Sequence, residues 1–192
     1  MPGPETLETL EAFGAQLVEC SPLRHGALPD GIDFVLLGCG RPELSIKALG
    51  SNVSFISSLQ GYVFRGGRIF AEGGGAAYLA RTIWVDGRGY PGAGILPFSA
   101  MLQTTPRTPV PTRSLLEVNT WLGASGSEIR GYPSRRWRFI NESDHPANSG
   151  RLTADGDLVY HQNAIGSLIH LHPAALPELM GNITRPSPYV LA

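Results

Sequence analysis

The sequence predicts an α/β domain with an open, mostly parallel sheet, because strand-like and helix-like segments alternate along its first half. Asp33 to Leu37, DFVLL, is the continuous apolar run typical of a strand buried on both faces. Two helical stretches follow, Leu44 to Leu49 and Val53 to Phe64, with Asn52 as the expected N-cap of the second. A short strand over Arg68 to Ala71 comes next. Functional loops of such folds lie at the carboxyl ends of the strands.

The segments that flank this pattern predict a single domain over residues 1–183 with a loose tail over 184–192. Glu5 to Gly14 has the apolar spacing of a short amphipathic helix, and Gln16 to Cys20 is expected to be a strand. Pro173 to Met180 is expected to form a closing helix with proline in its first turn.

The second half changes character, because proline and glycine are dense from Gly87 to Pro111 and short strand-like runs follow. These runs indicate antiparallel additions that return to the main sheet. They are Leu115 to Thr120, Ser127 to Tyr132, Arg136 to Ile140, Leu158 to Gln162 and Ala164 to Leu171.

Composition excludes several classes of function. The chain has 192 residues with a formal net charge of -1, so its overall charge favours neither nucleic acid nor a membrane surface as a partner. No run approaches the roughly 20 apolar residues of a membrane span, and residues 1–14 lack the features of a signal peptide. A cytoplasmic protein is therefore expected. The two cysteines, Cys20 and Cys39, have neither a metal-type nor a disulfide-framework spacing.

The stretch AEGGG, residues 71–75, has the form of a strand-to-helix turn that usually presents a catalytic nucleophile. Such turns carry serine or cysteine at their centre, flanked by small residues. Here the central residue is Gly73, which has no side chain, and Glu72 is expected to point elsewhere. The turn therefore has the setting of a nucleophile without the nucleophile.

Six motifs in order resemble the glutamine amidotransferase domain of cobyrinate a,c-diamide synthases, in the cobyric acid synthase-like branch of class I glutaminases. The resemblance covers roughly residues 15 to 180. It implies a flavodoxin-like class I glutamine amidotransferase fold, with helices on both faces of a mostly parallel sheet and antiparallel additions in the second half. The motifs are SPLRHGALPDGIDFVLL from Ser21, GCGRPEL at 38–44, AEGGGAAYL at 71–79, GILP at 94–97, RGYPSRR at 130–136 and SLIHLH at 167–172.

The resemblance places Gly73 at the position of the family's nucleophilic cysteine, and it matches His170 to the catalytic histidine. In such enzymes a thiolate attacks the glutamine amide while backbone N–H groups hold the oxyanion. Glutamine hydrolysis by that mechanism is therefore expected to be absent, and the site to be vestigial. The chain also lacks the nucleotide-binding loop of the synthases' ATP-dependent half. A scaffold subunit that pairs with a separate ATP-binding synthase subunit is one alternative.

Cys39 provides a second alternative. It lies in the loop on the oxyanion side, where the family usually has glycine, so its thiol can approach the nucleophile's position. With His170 lowering its pKa, Cys39 would make a repurposed amidotransferase or hydrolase. The competing interpretation is a small buried thiol, because catalysis needs placement to within about an ångström.

The stretch RGYPSRRWRF replaces family site residues with arginines and aromatics. Alternation places Arg136 and Arg138 on one face of a strand, and Arg135 and Trp137 on the other. Guanidinium groups bind carboxylates and an indole stacks on a planar ring, which suits a corrinoid or another tetrapyrrole. Solvated arginines on an exposed strand are the alternative. The predicted ligand-binding set is Gly40, Arg41, Gly73, Gly74, Arg135, Arg136, Trp137, Arg138 and His170.

Three histidines, His161, His170 and His172, raise the question of a metal site. Packed or inherited histidines are favoured, so no metal or certain cofactor is expected. The sequence thus predicts a glutaminase-inactive protein that binds a tetrapyrrole or a biosynthetic partner. A homo-oligomer is compatible with the sequence.

Overall fold

A computed structural model of the chain describes residues 3–104, 110–134, 136–140, 146–171 and 181–182. Within these ranges a 3-10 turn spans Pro42–Leu44. The α-helices are α1 (Pro4–Ala12), α2 (Ile46–Ser51), α3 (Val53–Phe64) and α4 (Gly74–Leu79). The strands are β1 (Phe34–Leu37), β2 (Arg68–Glu72), β3 (Ala80–Val85), β4 (Arg88–Pro91), β5 (Leu96–Leu102), β6 (Thr112–Leu115), β7 (Glu128–Pro133), β8 (Trp137–Ile140), β9 (Ser149–Arg151), β10 (Leu158–His161), β11 (Ala164–Ser167) and β12 (Ile169–Leu171).

The main sheet has the strand order β1-β2-β11-β10-β9. Strands β1, β2 and β11 are parallel, and β10 and β9 continue the sheet as antiparallel additions. Leu37 and Gly166 both pair with Ala71, and Ser167 pairs with Glu72. The register therefore brings the carboxyl ends of the three parallel strands to one edge, where the loops after β1, β2 and β11 meet.

Two smaller sheets complete the α/β fold that the sequence predicts. One has the order β4-β3-β5-β8, and the other is an antiparallel sheet of order β12-β7-β6. Strand β12 directly follows β11, so the chain passes from the main sheet to the three-stranded sheet beside the carboxyl end of β2. The antiparallel additions predicted for the second half are confirmed.

The core lies on both faces of β2, all five residues of which are buried. Ile69 and Ala71 belong to the hydrophobic cluster that includes helix α3, whereas Phe70 belongs to a second cluster that includes Leu10 of α1. Alternate side chains of a strand point to opposite faces, so one short strand supports both clusters. The strand that leads into the AEGGG turn is therefore held from both sides.

Several predicted elements differ from the structure. Gln16 to Cys20 is not a strand, because this segment pairs with no strand of the described sheets. Val18 within it is 61% exposed. The strand predicted at Leu115 to Thr120 instead ends at Leu115 as β6. Strands β4 and β5 went unpredicted, because the density of proline and glycine from Gly87 to Pro111 indicated loop, and strands β3 and β9 were not predicted either.

The strand predicted over Ala164 to Leu171 is divided into β11 and β12. The Ser167 hydroxyl donates to the Ile169 carbonyl at 2.6 Å and accepts from the Ile169 N–H at 3.0 Å, which turns the chain between the two sheets. The predicted helix at Pro173 to Met180, His172 and the tail over 184–192 lie outside the described residues. No helix in the described part of the chain is long and apolar enough to cross a membrane.

Candidate functional site

Gly73 occupies a tight turn between β2 and α4, with φ 51° and ψ -112°, a conformation that glycine adopts without steric cost. Its N–H donates to the Ser167 carbonyl at 2.8 Å, and its carbonyl accepts from the Ala77 N–H at 3.0 Å. This is the strand-to-helix geometry that presents a nucleophile in α/β enzymes. A Cβ atom placed on Gly73 would lie 3.3 Å from His170 Cε1 and 3.5 Å from Ser134 Oγ. A side chain at this position would therefore face His170.

The loop after β1 packs directly against this turn. The Gly75 N–H donates to the Gly38 carbonyl at 3.1 Å. A Cβ atom on Gly74 would lie only 1.8 Å from the Gly40 carbonyl oxygen, a distance at which atoms overlap. The first residue of α4 must therefore be glycine for the loop to approach. That close approach carries Cys39 to the edge of the site.

Three ionisable side chains converge beside Gly73, one from each of three loops or strands. Cys39 Sγ lies 2.9 Å from His170 Nδ1 and 3.6 Å from Glu72 Oε2. The Leu171 N–H donates to Glu72 Oε1 at 3.1 Å, and the Glu72 residue is only 7% exposed. The expectation that Glu72 points away is wrong, because this backbone N–H holds its carboxylate toward the cysteine. Below, Cys39, Glu72 and His170 are called the thiol cluster.

The electrostatics of the thiol cluster favour neutral groups. Burial, reinforced by the charge of Glu72 and by the hydrogen bond to it, raises the pKa of Cys39 to about 12. Burial likewise raises the pKa of Glu72, although hydrogen bonds from Leu171 and Cys39 oppose this. Burial lowers the pKa of His170. Cys39 is therefore a protonated thiol at neutral pH, whereas reactive cysteines have depressed pKa values.

The predicted arginine cluster is assembled around an acid that sequence reasoning missed. Arg136 Nη2 lies 2.5 Å from Glu43 Oε1, and Arg41 Nε lies 3.1 Å from the same oxygen. The Glu43 side chain is 6% exposed, so it anchors both guanidinium groups at the rim of the site. The nearby opposite charges of Arg41 and Glu43 were the available signal, but nothing in the sequence links Glu43 to Arg136.

Trp137 does not serve as a stacking platform. It is 3% exposed and packs in the hydrophobic core, so the predicted indole surface for a tetrapyrrole is wrong. Arg138 is exposed on the opposite face of β8, with Nη2 3.8 Å from Met101 Sδ. Arg135 lies outside the described residues. Of the predicted ligand set, the structure thus brings Gly40, Gly73, Gly74 and His170 together, with Arg41 and Arg136 engaged by Glu43 nearby.

His161 does not join His170. It pairs with Ala164, which pairs with Ile69 near the start of β2, whereas Glu72 and the thiol cluster are at the end of that strand. Burial lowers the pKa of His161, and its Nδ1 has no hydrogen-bond partner among the described residues. The metal set considered from the histidines alone is therefore not assembled.

Acid is expected to weaken the fold through Glu43. Burial alone would raise the pKa of this carboxyl, but hydrogen bonds from Arg136 and Arg41 outweigh it and hold the pKa below the ordinary 4.5. A carboxyl group whose pKa is depressed in the folded state stabilises the fold above about pH 4.5, its ordinary pKa. That contribution is lost as pH falls through the lower, folded-state pKa. Glu43→Gln should therefore cost about 1.5–3 kcal/mol at neutral pH and flatten the loss of stability in acid. Urea unfolding at neutral pH measures the loss of stability, and urea unfolding below pH 4 measures how much of the acid dependence is removed.

Glu19→Gln is the matched control, because Glu19 pairs with Arg24 at 2.8 Å while both side chains are mostly exposed. Exposed pairs contribute little to stability, so this variant should unfold like the starting protein at either pH. An acid profile that is identical for the starting protein and Glu43→Gln would contradict the role given to the buried carboxylate.

Comparison with known proteins gives concordant results. The model of the CobB/CobQ-like glutamine amidotransferase domain family matches residues 5–176. The cobyrinate a,c-diamide synthase of Thermoplasma volcanium is 31% identical over 193 residues, covering 97% of this chain and 40% of its own length. The cobyrinate a,c-diamide synthase of Salmonella typhimurium is 32% identical over 187 residues, covering 92% of this chain and 40% of its own length. The chain thus spans about two fifths of the length of these relatives.

A crystal structure of a glutamine amidotransferase has the same fold, with a TM-score of 0.62 at 20% identity. The superposition covers 92% of this chain and 93% of the other. The flavodoxin-like class I glutamine amidotransferase fold expected from the motifs is therefore confirmed. The family model matches residues 5–176, which is most of this chain, so the chain belongs to the family of CobB/CobQ-like glutamine amidotransferase domains.

Proposed function

We propose that this domain does not hydrolyse glutamine and acts as an accessory domain in corrinoid or related tetrapyrrole amidation. The observation that carries the proposal is Gly73, which stands at the centre of a well-formed nucleophile turn and offers no sulfur. The acyl-transfer mechanism of glutaminases needs a thiolate at that point, because the attacking atom and the oxyanion donors must be aligned. The fold here keeps the turn and the facing histidine without that atom.

Cys39 is poorly placed to replace the missing nucleophile. Its Cα lies 3.6 Å from the Cβ position of residue 73, so its thiol extends from the wall opposite the turn. The neighbouring Glu72 carboxylate opposes formation of a thiolate by repelling its negative charge. A nucleophile that is buried, protonated and attached to a different loop lacks the activation that cysteine chemistry requires.

The accessory role is supported by the family relationship and by the state of the arginine cluster. The curated relatives are synthases in which the matching region is about two fifths of the chain. A domain of this kind suits association with an ATP-dependent synthase half. A partner is favoured over direct tetrapyrrole stacking, because Trp137 is in the core and Glu43 already engages Arg41 and Arg136.

A second candidate function is catalysis by Cys39 with His170, which the 2.9 Å separation of Sγ and Nδ1 favours. In this candidate His170 Nδ1 accepts the thiol proton, and the thiolate attacks an amide carbonyl. The attack would give a thioester on Cys39 while the leaving nitrogen takes the proton from His170 and departs as ammonia, and water would then hydrolyse the thioester to glutamate and the free thiol. The accessory role and the Cys39–His170 enzyme therefore differ in whether the amide group of glutamine is hydrolysed.

Incubating the purified protein with glutamine distinguishes them. We expect no ammonia above the background of a glutamine-only solution, and no change in Cys39→Ser. Turnover that is lost in Cys39→Ser and His170→Ala but kept in the matched control Cys20→Ser would overturn the proposal and establish the second candidate. Cys20 is a suitable control because it is the chain's other cysteine and its thiol donates to the Ala27 carbonyl instead.

The accessory role has its own readout. Mixing the protein with a separately produced ATP-dependent synthase half should give a complex on analytical ultracentrifugation. Absorbance titration with a corrinoid and with a free porphyrin tests direct binding in parallel. No complex and no spectral shift with either compound would contradict the accessory role.

A further inference from the structure

We propose that Cys39, Glu72 and His170 form a binding site for a thiophilic divalent cation, for which Zn²⁺ is the best match. The inference is independent of glutamine chemistry, since it rests on the three side chains of the thiol cluster. Sulfur, imidazole nitrogen and carboxylate oxygen are the donor types that zinc takes in proteins. Sulfur disfavours Mg²⁺ and Ca²⁺, which prefer oxygen ligands.

The donor atoms lie close enough together to share one cation. The three donor atoms lie within 4.8 Å of one another, with Sγ 3.6 Å from Glu72 Oε2 and 2.9 Å from His170 Nδ1. Zinc bonds of about 2.0–2.3 Å at tetrahedral angles separate neighbouring donors by roughly 3.3–3.6 Å. The sulfur–oxygen distance already has this value. The sulfur–nitrogen distance must open by roughly 0.6 Å, which a small rotation of the cysteine side chain supplies.

The ligands are held by structure around them. The Leu171 N–H donates a hydrogen bond to Glu72 Oε1, which leaves Oε2 directed at Cys39. The backbone bond from the Gly75 N–H to the Gly38 carbonyl fixes the loop that carries Cys39. Such outer contacts orient metal ligands and reduce what must be ordered on binding. The thiol cluster therefore has positioned donors before any cation arrives.

The charge balance of the thiol cluster also favours a cation. Glu72 is 7% exposed and forms no ion pair with any arginine or lysine of the described residues. On binding, Cys39 would release its proton to solvent, and the negative charges of its thiolate and of the Glu72 carboxylate would balance the two positive charges of the metal. A buried carboxylate without a counter-charge is costly, and a metal removes that cost.

Gly73 gives this centre an open side. A Cβ atom on Gly73 would lie 3.3 Å from the His170 ring and 3.6 Å from Cys39 Cα, so a side chain there would press on the ligands. Glycine leaves room for a fourth donor from water or a small ligand. Three protein ligands with an open position is the arrangement of zinc sites that exchange a ligand. The missing nucleophile and the proposed site are thus two consequences of one residue.

Metal binding is measured on the purified full chain with Zn²⁺ and Co²⁺ as the probes. After dialysis against Zn²⁺ and removal of the excess, we expect one metal ion per chain by elemental analysis. Co²⁺ titration should produce a thiolate-to-cobalt charge-transfer band that saturates at one equivalent. Cys39→Ser should abolish the band, and Glu72→Gln and His170→Ala should each weaken affinity by more than about 100-fold, beyond the loss typical of outer contacts.

Cys20→Ser and His25→Ala are the matched controls, because both residues lie outside the thiol cluster. They should bind Co²⁺ like the starting protein. Circular dichroism checks that each variant is folded, and the near-isosteric Glu72→Gln keeps the test valid if His170→Ala does not fold. Absence of stoichiometric metal, or a cobalt band that survives in Cys39→Ser, would overturn the site. Neither result depends on whether ammonia is released from glutamine, so this test and that of the proposed function fail separately.

Discussion

The double variant Gly73→Cys with Cys39→Gly is expected to release ammonia from glutamine at a rate on the order of 100-fold or more above the starting protein. The physical reason is a nucleophile placed against a positioned base, a step that contributes about 10²–10⁴-fold in acid–base catalysis alone. A Cβ atom at residue 73 would lie 3.3 Å from His170 Cε1, so a sulfur one bond further can reach the imidazole. Ammonia and glutamate release measure the gain.

The second substitution matters because Cys39 already holds the histidine. Its Sγ lies 2.9 Å from Nδ1, so a new thiol in Gly73→Cys alone would meet an engaged imidazole and a neighbouring thiol. Removing the Cys39 side chain frees Nδ1 and the space beside it. We therefore expect the double variant to exceed Gly73→Cys, which in turn exceeds the starting protein.

Gly73→Ser combined with Cys39→Gly is the matched control, since serine strains the turn equally but is a weaker nucleophile beside an imidazole of lowered pKa. It should remain close to background. Equal activity in the serine and cysteine variants would contradict the mechanism. A folded cysteine variant that releases no ammonia would show that the site lacks more than the sulfur. The altered stretch at 130–138 would then be the next segment to restore.

Local sequence rules predicted the elements that local forces decide. Helix α3 begins and ends where expected, and the Asn52 side chain accepts from the Phe55 N–H at 3.2 Å as a cap should. The turn at Gly73 was predictable because a short strand, small residues and a helix follow one another within a few positions. Its positive φ agrees with the glycine that the sequence places there.

Features that depend on contacts between distant segments were not predictable. Glu72 and Glu43 were missed because their partners, Leu171 and Arg136, are 99 and 93 residues away along the chain. Trp137 was assigned to a ligand face because alternation separates the two faces of a strand without saying which is buried. Pairing of β8 with β5 turns that indole into the core.

Gly74→Ala is expected to destabilise the fold strongly, although alanine is the better helix former by about 1 kcal/mol. The added Cβ atom would lie 1.8 Å from the Gly40 carbonyl oxygen and 2.7 Å from Pro42 Cδ. The backbone oxygen cannot rotate away, so the loop after β1 must move. Overpacking of this kind costs roughly 1–3 kcal/mol and occasionally more, which exceeds the gain in helix propensity.

Gly40→Ala tests the same contact from the other side, because a Cβ atom on Gly40 meets nothing within 4 Å. It should unfold close to the starting protein, whereas Gly74→Ala should lose roughly 2–4 °C of melting temperature for each kcal/mol. The displaced loop carries Cys39, so Gly74→Ala should also weaken the cobalt charge-transfer band while Gly40→Ala keeps it. A Gly74→Ala protein as stable as the starting chain would mean that the loop after β1 does not rest on helix α4, and the thiol cluster would then lose the contact that positions its sulfur.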